Sequence, residues 1–400
     1  MGRIEKYRVL AIADVHMSNR LPYAKPVDES GVTDRFLEQL ELWKQVKETV
    51  DKERPDVVWI LGDLFDKSNV DPITLKYTVR AIMSLDCPVE ILPGNHDASM
   101  ATGGSYIVEA FSEMGRNDVV CLDMKDEGDW VRPWLRVFSV PFCPAEVATS
   151  KIRGFQDQIA SDTSKHTNVL LLHHSILGCR HLGWTCDQGL DAELITEGFD
   201  LVLSGHFHDA QSFGPGPGVV GAYLGSPMHH TFADASRTTE PNYWVFDFVC
   251  DFTDSGKRLL RIDTRKFLAK MPRFYHTIID EEATPRAVSG TPLALIVDKG
   301  DFWRLEVRAT KERWAETKAA HQHQIDALKK RGVRASLRHR PVVKGKARIK
   351  VESTPGSVGE SVESYLRRYV VAVVGKEKRE DRKALIKAGV EILEEARNAD

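Results

Sequence analysis

The sequence predicts an α/β layered domain that is followed by a smaller α+β domain and a helical carboxyl-terminal extension. From Tyr7 to about Phe248, short apolar runs rich in valine, isoleucine and leucine alternate with longer amphipathic segments. This alternation is typical of buried strands that are joined by helices. Beyond Phe248 the pattern changes to strand-like runs, a polar helix and a highly charged end. We therefore predict domains over residues 1–255 and 256–351 and a terminal segment over 352–400.

Five of the apolar runs are followed directly by polar clusters and are therefore the strands that matter most for function. Each run is short and mostly apolar, which favours a strand that is buried on both faces. These strands are predicted over Tyr7–Ala13, Asp56–Leu61, Pro88–Pro93, Asn168–Leu172 and Leu201–Ser204.

Two helices are predicted among these strands. Apolar residues three or four positions apart between Thr33 and Lys52 mark the buried stripe of one helix. Asp71 followed by Pro72 is an N-cap and first-turn pair that begins the second helix. Because this helix comes after Gly62–Asp66, that polar cluster should lie in a loop between a strand and a helix, where α/β sheets carry their sites.

The second domain contains a strongly basic stretch. Strands are predicted over Leu293–Val297 and Trp303–Val307, and a polar helix over Lys311–Arg331. Between Asp326 and Glu352 the chain has ten basic residues and no acidic one. A solvated basic face is one interpretation of this stretch, and a footprint for the phosphate backbone of a nucleic acid is the other. On the second interpretation the candidate DNA-binding residues are Lys344, Lys346 and Arg348.

Composition narrows the class of protein. The formal net charge of -3 at pH 7 neither requires nor excludes a polyanionic partner. The six cysteines are scattered without a C-x-x-C pair, which favours free thiols over a disulfide framework or a structural zinc site. The amino terminus enters a strand without a leader pattern, and no stretch of about 18 apolar residues occurs. We expect a cytoplasmic protein with no membrane segment.

Carboxylate, amide and imidazole side chains follow each of the five strands. One such cluster could arise by chance, but five in this order indicate that the strand ends converge on one site. The mixture of oxygen and nitrogen donors without cysteine suits a pair of manganese, iron or zinc ions, which can activate water for attack on phosphorus. The clusters are Asp14-Val15-His16, Gly62-Asp63-Leu64-Phe65-Asp66, Gly94-Asn95-His96-Asp97, His173-His174 and Gly205-His206-Phe207-His208.

The candidate metal ligands follow from donor type and position. Side chains two positions apart on an extended chain point to the same side, so the first aspartate and histidine can share an ion. We prefer His173 over His174 because it is nearer the strand end, and we keep His174 as the alternative. The candidate ligands are Asp14, His16, Asp63, Asn95, His173, His206 and His208.

Other polar residues near the clusters receive different roles. His96 adjoins a ligand without being needed as one, so it is the candidate for protonating the leaving oxygen or stabilising charge on phosphorus. We expect Asp66 to fix its loop and Asp97 to cap a local turn. His229 and His230 could line the substrate cleft or lie at its rim.

These motifs resemble those of the calcineurin-like metallophosphoesterase superfamily, whose pattern is D-x-H, G-D-x-x-D, G-N-H-D or G-N-H-E, a lone strand-end histidine and G-H-x-H. Every element is present between about Arg8 and Phe248. Within the superfamily the chain looks most like the SbcD family, the bacterial and phage counterparts of the meiotic recombination nuclease. The residues that carry this closer likeness are Gly62–Asp66 followed by Asp71-Pro72, Gly94–Asp97, and Gly225-Ser226-Pro227 leading to Phe232-Ala233-Asp234.

The resemblance implies a four-layer αββα phosphoesterase sandwich with a small α+β capping domain, two Mn²⁺ ions, and exonuclease and single-strand endonuclease activity on DNA. It also implies a homodimer and an SbcC-like coiled-coil ATPase that docks partly through residues 352–400. By the family pattern His96 is the catalytic histidine and Asp63 bridges the ions. The first ion is then held by Asp14, His16 and His208, and the second by Asn95, His173 and His206.

Two other functions remain open from the sequence. The chain could be a stand-alone metallophosphoesterase that acts on a small phosphodiester or a phosphoprotein, although the basic stretch and the carboxyl-terminal region argue against this. It could also be a partner-binding scaffold without catalysis, against which the complete ligand set argues.

Overall fold

A computed structural model of the protein describes residues 3–99, 105–122, 127–162, 166–215, 221–252, 258–280 and 297–342. The candidate DNA-binding residues Lys344, Lys346 and Arg348 and the terminal segment 352–400 lie outside the described residues. The predicted strand Leu293–Val297 also lies outside them, except for its last residue.

Helices and strands alternate along most of the described chain. The strands are β1 (Arg3–Ile12), β2 (Val57–Leu61), β3 (Val89–Leu92), β4 (Ala98–Ser99), β5 (Ser105–Tyr106), β6 (Val119–Cys121), β7 (Asp129–Arg132), β8 (Leu135–Val140), β9 (Thr167–His173), β10 (Arg180–His181), β11 (Trp184–Thr185), β12 (Leu201–Gly205), β13 (Gln211–Phe213), β14 (Gly221–Tyr223), β15 (Asn242–Phe252), β16 (Arg258–Leu268), β17 (Phe274–Asp280), β18 (Phe302–Ala309) and β19 (Arg334–Pro341). The helices are α1 (Asp34–Glu53), α2 (Pro72–Met83), α3 (Ala145–Ser161), α4 (Ala192–Thr196) and α5 (Trp314–Lys330), and two 3-10 helices cover Ile107–Glu113 and Phe232–Ser236.

Two six-stranded sheets form the main domain, in the orders β16-β15-β1-β2-β3-β6 and β13-β14-β12-β9-β8-β7. Strands β1, β2, β3 and β6 are parallel to one another, and so are β8, β9, β12 and β14. All five strands predicted before the polar clusters are present. Because parallel strands end at the same edge of a sheet, the clusters that follow them are brought together.

The sheets pack face to face, and helices cover their outer faces. Alternate residues of the strands, such as Val9, Trp59 and Leu171, are fully buried between the two sheets. The intervening residues, such as Leu10, pack against α1 and α2 on the first sheet, and α3 and α4 cover the second sheet in the same way. The architecture is therefore the αββα sandwich that the family resemblance implied.

Both predicted helix starts are confirmed. The Thr33 hydroxyl accepts a hydrogen bond from the backbone of Phe36 at the beginning of α1. The Asp71 carboxylate accepts hydrogen bonds from the backbone of Ile73 and Thr74 at 3.0 and 3.1 Å, ahead of Pro72 in the first turn of α2. Such caps satisfy amide groups that have no partner within the helix.

The main domain extends beyond the boundary that the sequence suggested. β16 pairs in antiparallel register with β15, from Asn242 opposite Leu268 to Phe252 opposite Arg258. This sheet therefore continues past residue 255, the end of the predicted first domain, through β16. Its edge strand carries charged residues at many positions, and an edge strand that faces solvent does not show the apolar run of a buried one.

The small domain has a three-stranded parallel sheet, β17-β18-β19, with α5 packed on one face. The predicted strand Trp303–Val307 and the helix Lys311–Arg331 are both confirmed. Buried Arg35 of α1 fastens this domain to the sandwich, because its guanidinium lies 5.1 and 5.0 Å from the Phe274 and Phe302 ring centres. Among the described residues, no helix combines the length and the apolar character needed to cross a membrane.

Candidate metal centre

The five predicted clusters meet at one edge of the sandwich. Four of their residues, Asp14, His16, Asp63 and His206, have positive φ angles of 54°, 49°, 50° and 94°. Non-glycine residues in this region cost on the order of 1–3 kcal/mol each and persist only where neighbouring structure holds them. Here hydrogen bonds between the loops provide that support, because the His16 amide donates to the Asp63 carbonyl at 2.9 Å.

The glycines of the motifs leave room for functional side chains. A β-carbon at Gly62 would lie 1.9 Å from Nδ1 of His173, and Gly62 also has a φ of +83°. A β-carbon at Gly94 would lie 2.2 Å from Oδ1 of Asp63. Glycine is thus required at these positions because the loop backbone runs directly against the site.

One group of donors lies around Asp63, Asn95, His173 and His206. Nε2 of His173 is 3.2 Å from Oδ2 of Asp63 and 3.2 Å from Oδ1 of Asn95. Nδ1 of His206 is 2.9 Å from the same Asn95 oxygen. The ligand atoms of Asp63, His173 and His206 lie within 4.8 Å of one another and could hold a metal ion.

A second group lies on the other side of Asp63. Nε2 of His16 is 3.7 Å from Oδ2 of Asp63 and 3.1 Å from Nε2 of His208. Asp14 is fully buried, and its Oδ1 accepts a hydrogen bond from the His206 amide at 2.8 Å. The same Asp63 oxygen therefore faces both groups of donors.

The donor set fits a pair of divalent cations. Oδ2 of Asp14 and Nδ1 of His16 are buried without a hydrogen-bond partner, although buried polar atoms are almost always satisfied. Facing imidazole nitrogens and an orphaned carboxylate oxygen are the arrangement that a cation completes. Asp63, between the two groups, is placed where a shared ligand would be.

Burial and charge set the protonation of the imidazoles. Burial lowers the pKa of His16 to about 3 and that of His206 to about 2, so both rings are neutral, which is the form that binds metals. Burial would also lower the pKa of His173, but the Asp63 and Asp14 carboxylates outweigh it and raise the pKa to about 9. The same carboxylates would attract a divalent cation, which would replace this proton because a metal binds the neutral ring.

Neighbouring groups orient the histidines. His173 donates from Nδ1 to the Leu61 carbonyl at 2.9 Å, which turns Nε2 toward Asp63. Nδ1 of His208 is 3.0 Å from a carboxylate oxygen of buried Asp234, so Nε2 faces His16. Partners of this kind fix the tautomer and raise the basicity of a metal-binding imidazole.

Sequence reasoning missed two of these orienting residues. Asp234 lies in the second 3-10 helix, and the only available signal was its place in the Phe232-Ala233-Asp234 stretch. Ser175, whose hydroxyl is 2.9 Å from Nε2 of His206, follows the histidine pair without any distinctive pattern.

His96 lies at the exposed edge of the centre. Its Nδ1 donates to the Asp66 carbonyl at 2.7 Å, and its backbone amide donates to Oδ1 of Asp63 at 2.8 Å. The ring centre is 4.7 Å from that of His16. With Nδ1 committed to the backbone, Nε2 is the nitrogen that remains for a substrate.

Asp97 supports the loops around the centre. Fully buried Asp97 accepts hydrogen bonds from the Phe65 and Gly94 amides, each at 3.0 Å, and so ties the loops after β2 and β3 together. Its role is thus wider than the local turn that the sequence suggested. Burial, together with the Asp63 charge, raises the pKa of Asp97 to about 7.

The remaining histidines are structural neighbours of the centre. Nε2 of His174 lies 3.2 Å from the Pro141 carbonyl, outside the donor groups. His229 is buried and its Nδ1 accepts a hydrogen bond from the Phe274 amide at 3.2 Å. His230 is buried beside His16 and His208 and could join them around an ion. His229 and His230 are thus both buried, with exposed fractions of 7% and 6%.

A cleft of about 480 Å³ adjoins the centre along the loops after β1 and β2. Its lining includes Met17, Asp66, Arg20 and Lys67. With Asp71 also in the lining, two basic and two acidic residues face this cleft, so their formal charges cancel.

Comparisons with known proteins agree with this site. Two archaeal proteins are similar, both named DNA double-strand break repair protein Mre11. The one from Aeropyrum pernix is 33% identical over 182 residues, which cover 42% of this chain and 42% of that protein, less than half its length. The one from Saccharolobus solfataricus is 23% identical over 313 residues, which cover 75% of this chain and 77% of that protein.

Two solved structures that are similar to this chain have TM-scores below 0.5. A dimetal phosphatase from Danio rerio has 12% identity and a TM-score of 0.39 over 66% of this chain and 99% of its own. Vps29 from Chaetomium thermophilum has 11% identity and a TM-score of 0.27 over the same shares of the two chains.

The family model matches at the residues that build the centre. The model described as calcineurin-like phosphoesterase covers residues 7–210, which include all seven candidate ligands and His96. Its match agrees with the αββα sandwich and with the paired histidine and aspartate groups. The chain belongs to the calcineurin-like phosphoesterase family and is a metal-binding phosphoesterase.

Proposed function

We propose that this protein is a manganese-dependent DNA nuclease, with exonuclease and single-strand endonuclease activity, and the nuclease subunit of a repair complex like that of SbcC and SbcD. The observation that carries the proposal is the pair of donor groups that share Asp63, one with His173 and His206 and the other with His16 and His96. His96 is the exposed member of the second group. The similarity of this protein to two archaeal double-strand break repair proteins favours DNA among the substrates of the family.

We infer that Asp14, His16 and His208 hold one ion, that Asp63 bridges, and that Asn95, His173 and His206 hold the other. When bound, such a pair neutralises phosphate charge and activates water for in-line attack. The buried donors around Asp63 exclude bulk water and keep the carboxylate ionised, because the imidazoles lower its pKa despite burial.

His96 is proposed to act on the leaving group. Its Nδ1 is held by the Asp66 carbonyl, so a proton carried on Nε2 would be directed to the departing oxygen rather than to the backbone. Its exposure allows contact with a polymeric substrate. A positioned general acid of this kind contributes about 10²–10⁴-fold to the rate.

The charge of the small domain supports a polyanionic substrate. In β18 the buried residues face α5, so the alternate residues lie on the opposite face of the sheet. Parallel register places Arg308 beside Arg340 and Glu306 beside Arg338 on that face. The basic sheet face is formed by Arg308, Arg338 and Arg340, which lie beside the acidic residues Asp280 and Glu306. Arg304 and Arg334 are on the same side of the sheet but bind the sandwich, through the Tyr23 hydroxyl and the Glu38 carboxylate.

The partner and the assembly state are proposed on similarity. We propose a coiled-coil ATPase that docks on residues 352–400, and a homodimer. Both can be tested by expressing the full chain in its native host and asking whether a large ATPase co-purifies and whether the mass is that of two chains.

The nuclease proposal is tested by giving the purified protein Mn²⁺ with labelled single- and double-stranded DNA, and separately with bis(p-nitrophenyl) phosphate. We expect cleavage of DNA as well as of the small ester. Hydrolysis of the small ester alone would contradict the nuclease proposal and leave a stand-alone phosphodiesterase.

A further inference from the structure

A short β-hairpin stands beside the metal centre and carries an exposed tryptophan. Its strands, β10 and β11, place His181 opposite Trp184. The two turn residues between them, Leu182 and Gly183, have φ angles of 46° and 87°, as in the type I′ turn that suits a two-residue hairpin. Leucine rarely adopts this conformation, and such strained residues concentrate at functional sites.

The inner side of the hairpin rests on the metal centre. The His181 ring is nearly parallel to the His206 ring at 6.4 Å and lies 4.7 Å from the Phe207 ring. The Arg180 backbone also exchanges two hydrogen bonds with the Gln211 side chain, at 2.7 and 2.6 Å. These contacts fix the hairpin relative to a candidate metal ligand.

The tip and edge of the hairpin contact the segment that supports His208. A β-carbon at Gly183 would lie only 3.3 Å from Cβ of Ser236, in the 3-10 helix that carries Asp234. The Arg180 guanidinium donates to the Thr238 hydroxyl at 3.0 Å. The hairpin is therefore held between the supports of His206 and His208.

Trp184 itself is left in solvent, with 80% of its surface exposed, although tryptophan is highly buried on average. Directly opposed residues of an antiparallel pair project from one face, with β-carbons about 5 Å apart. Trp184 thus projects from the face on which His181 contacts His206. A nucleic-acid strand rises about 3.4 Å per nucleotide, so a few nucleotides would span the distance from this face of the hairpin to the metal centre.

We propose that Trp184 is a stacking platform that positions a nucleobase of a single-stranded substrate beside the metal centre. This inference rests on the proposed DNA nuclease function. Bases stack on exposed aromatic rings whatever the sequence, because every base has a π face. Since the hairpin is already fixed by its contacts, little conformational freedom is lost when a base stacks on it.

The test compares Trp184→Ala and Trp184→Phe with a matched control, Trp130→Ala. Trp130 is also exposed, at 51%, but it pairs with Arg136 near the start of β8, at the end of the sheet away from the centre. For each protein, the Kd for a labelled oligothymidylate and the ratio of oligonucleotide cleavage to bis(p-nitrophenyl) phosphate hydrolysis are measured with Mn²⁺.

We expect Trp184→Ala to raise the Kd and to lower the cleavage ratio, each about tenfold. The slope of log Kd against log salt should not change, because stacking releases no counterions. Trp184→Phe should retain most of the wild-type ratio, and Trp130→Ala all of it.

An unaltered cleavage ratio in Trp184→Ala would overturn this inference. Cleavage of DNA by the wild-type protein would still support the nuclease proposal in that case. Wild-type protein that hydrolyses only the small ester would instead overturn the nuclease proposal. If Trp184→Ala does not fold, the quenching of tryptophan fluorescence by the oligonucleotide is compared between the wild type and Trp184→Phe. Stronger quenching in the wild type would support stacking on Trp184. Equal quenching in the two proteins would refute stacking on Trp184.

Discussion

The carboxylate of Asp234 lies 3.0 Å from Nδ1 of His208, although the two residues are 26 positions apart in the chain. Asp234 is buried, and its other oxygen accepts hydrogen bonds from the His230 and Thr231 amides at 3.1 and 2.9 Å. The carboxylate is thus fixed by the 3-10 helix before it contacts the imidazole. A candidate metal ligand is thus held in one orientation by a residue outside the donor groups.

Asp234→Asn should weaken metal binding. The amide keeps the size of the side chain but removes the charge that raises the basicity of His208, so we expect affinity for Mn²⁺ to fall about 10–100-fold at one of two sites. Calorimetric titration measures this directly. Asp263→Asn, on the exposed edge strand β16, is the control. Wild-type affinity at both sites in Asp234→Asn would refute the orienting role.

His96→Ala should lower kcat about 10²–10⁴-fold and leave two ions bound, because His96 is proposed to transfer a proton rather than to hold a metal. Steady-state kinetics and elemental analysis of the same samples separate these effects. The exposed helix residue His323 provides a matched control, His323→Ala. Loss of an ion from His96→Ala would show that His96 is a ligand.

Gly62→Ala should destabilise the protein by at least about 2 kcal/mol, since the added methyl group meets His173 and the backbone is left-handed. Urea unfolding measures the free energy. Gly154→Ala in α3 is the matched control, because no atom lies within 4 Å of its added carbon. Helix propensity predicts that this control is about 0.5–1 kcal/mol more stable than the wild type. Equal stability of Gly62→Ala and the wild type would contradict the described approach of the loop.

Arg35→Met should destabilise the sandwich where it contacts the small domain. Its guanidinium is buried, forms an ion pair with Glu38 and donates to the His229 carbonyl at 2.6 Å. Removing one partner of a buried pair costs about 3 kcal/mol, which a urea titration can detect. The exposed pair Lys44 and Glu41 supplies the control Lys44→Met, for which no measurable change is expected. The same result for both variants would show that the stability of the fold does not depend on this arginine.

Arg308→Gln combined with Arg338→Gln should weaken DNA binding and lower the salt slope by about 1–2, because each phosphate contact releases counterions. Fluorescence anisotropy at several salt concentrations gives the slope. Arg261→Gln on β16 removes one exposed charge from the other domain as a control. An unchanged slope in the double variant would mean that the basic sheet face is merely solvated.

Much of the candidate site was predictable because it is written in local patterns. Asp63, Asn95 and His206 each follow a buried strand directly, and the strand pattern depends only on neighbouring residues. The neighbouring glycines belong to the same pattern. The structure shows why glycine is needed, because the backbone of Gly62 lies directly against His173. Adjacent residues at a strand end point in opposite directions, so only one of His173 and His174 can face the donor groups. His173 is the one that does.

The five strands, the donor types and their order could be predicted from local patterns, since each arises from interactions among residues close in the chain. The folded chain was needed to show that Asp63 faces both donor groups, that Asp234 orients His208, and that charged β16 completes the first sheet. It also placed His181, the hairpin partner of Trp184, beside His206. These relations depend on strand pairing and loop packing between residues far apart in the chain, which no local pattern records.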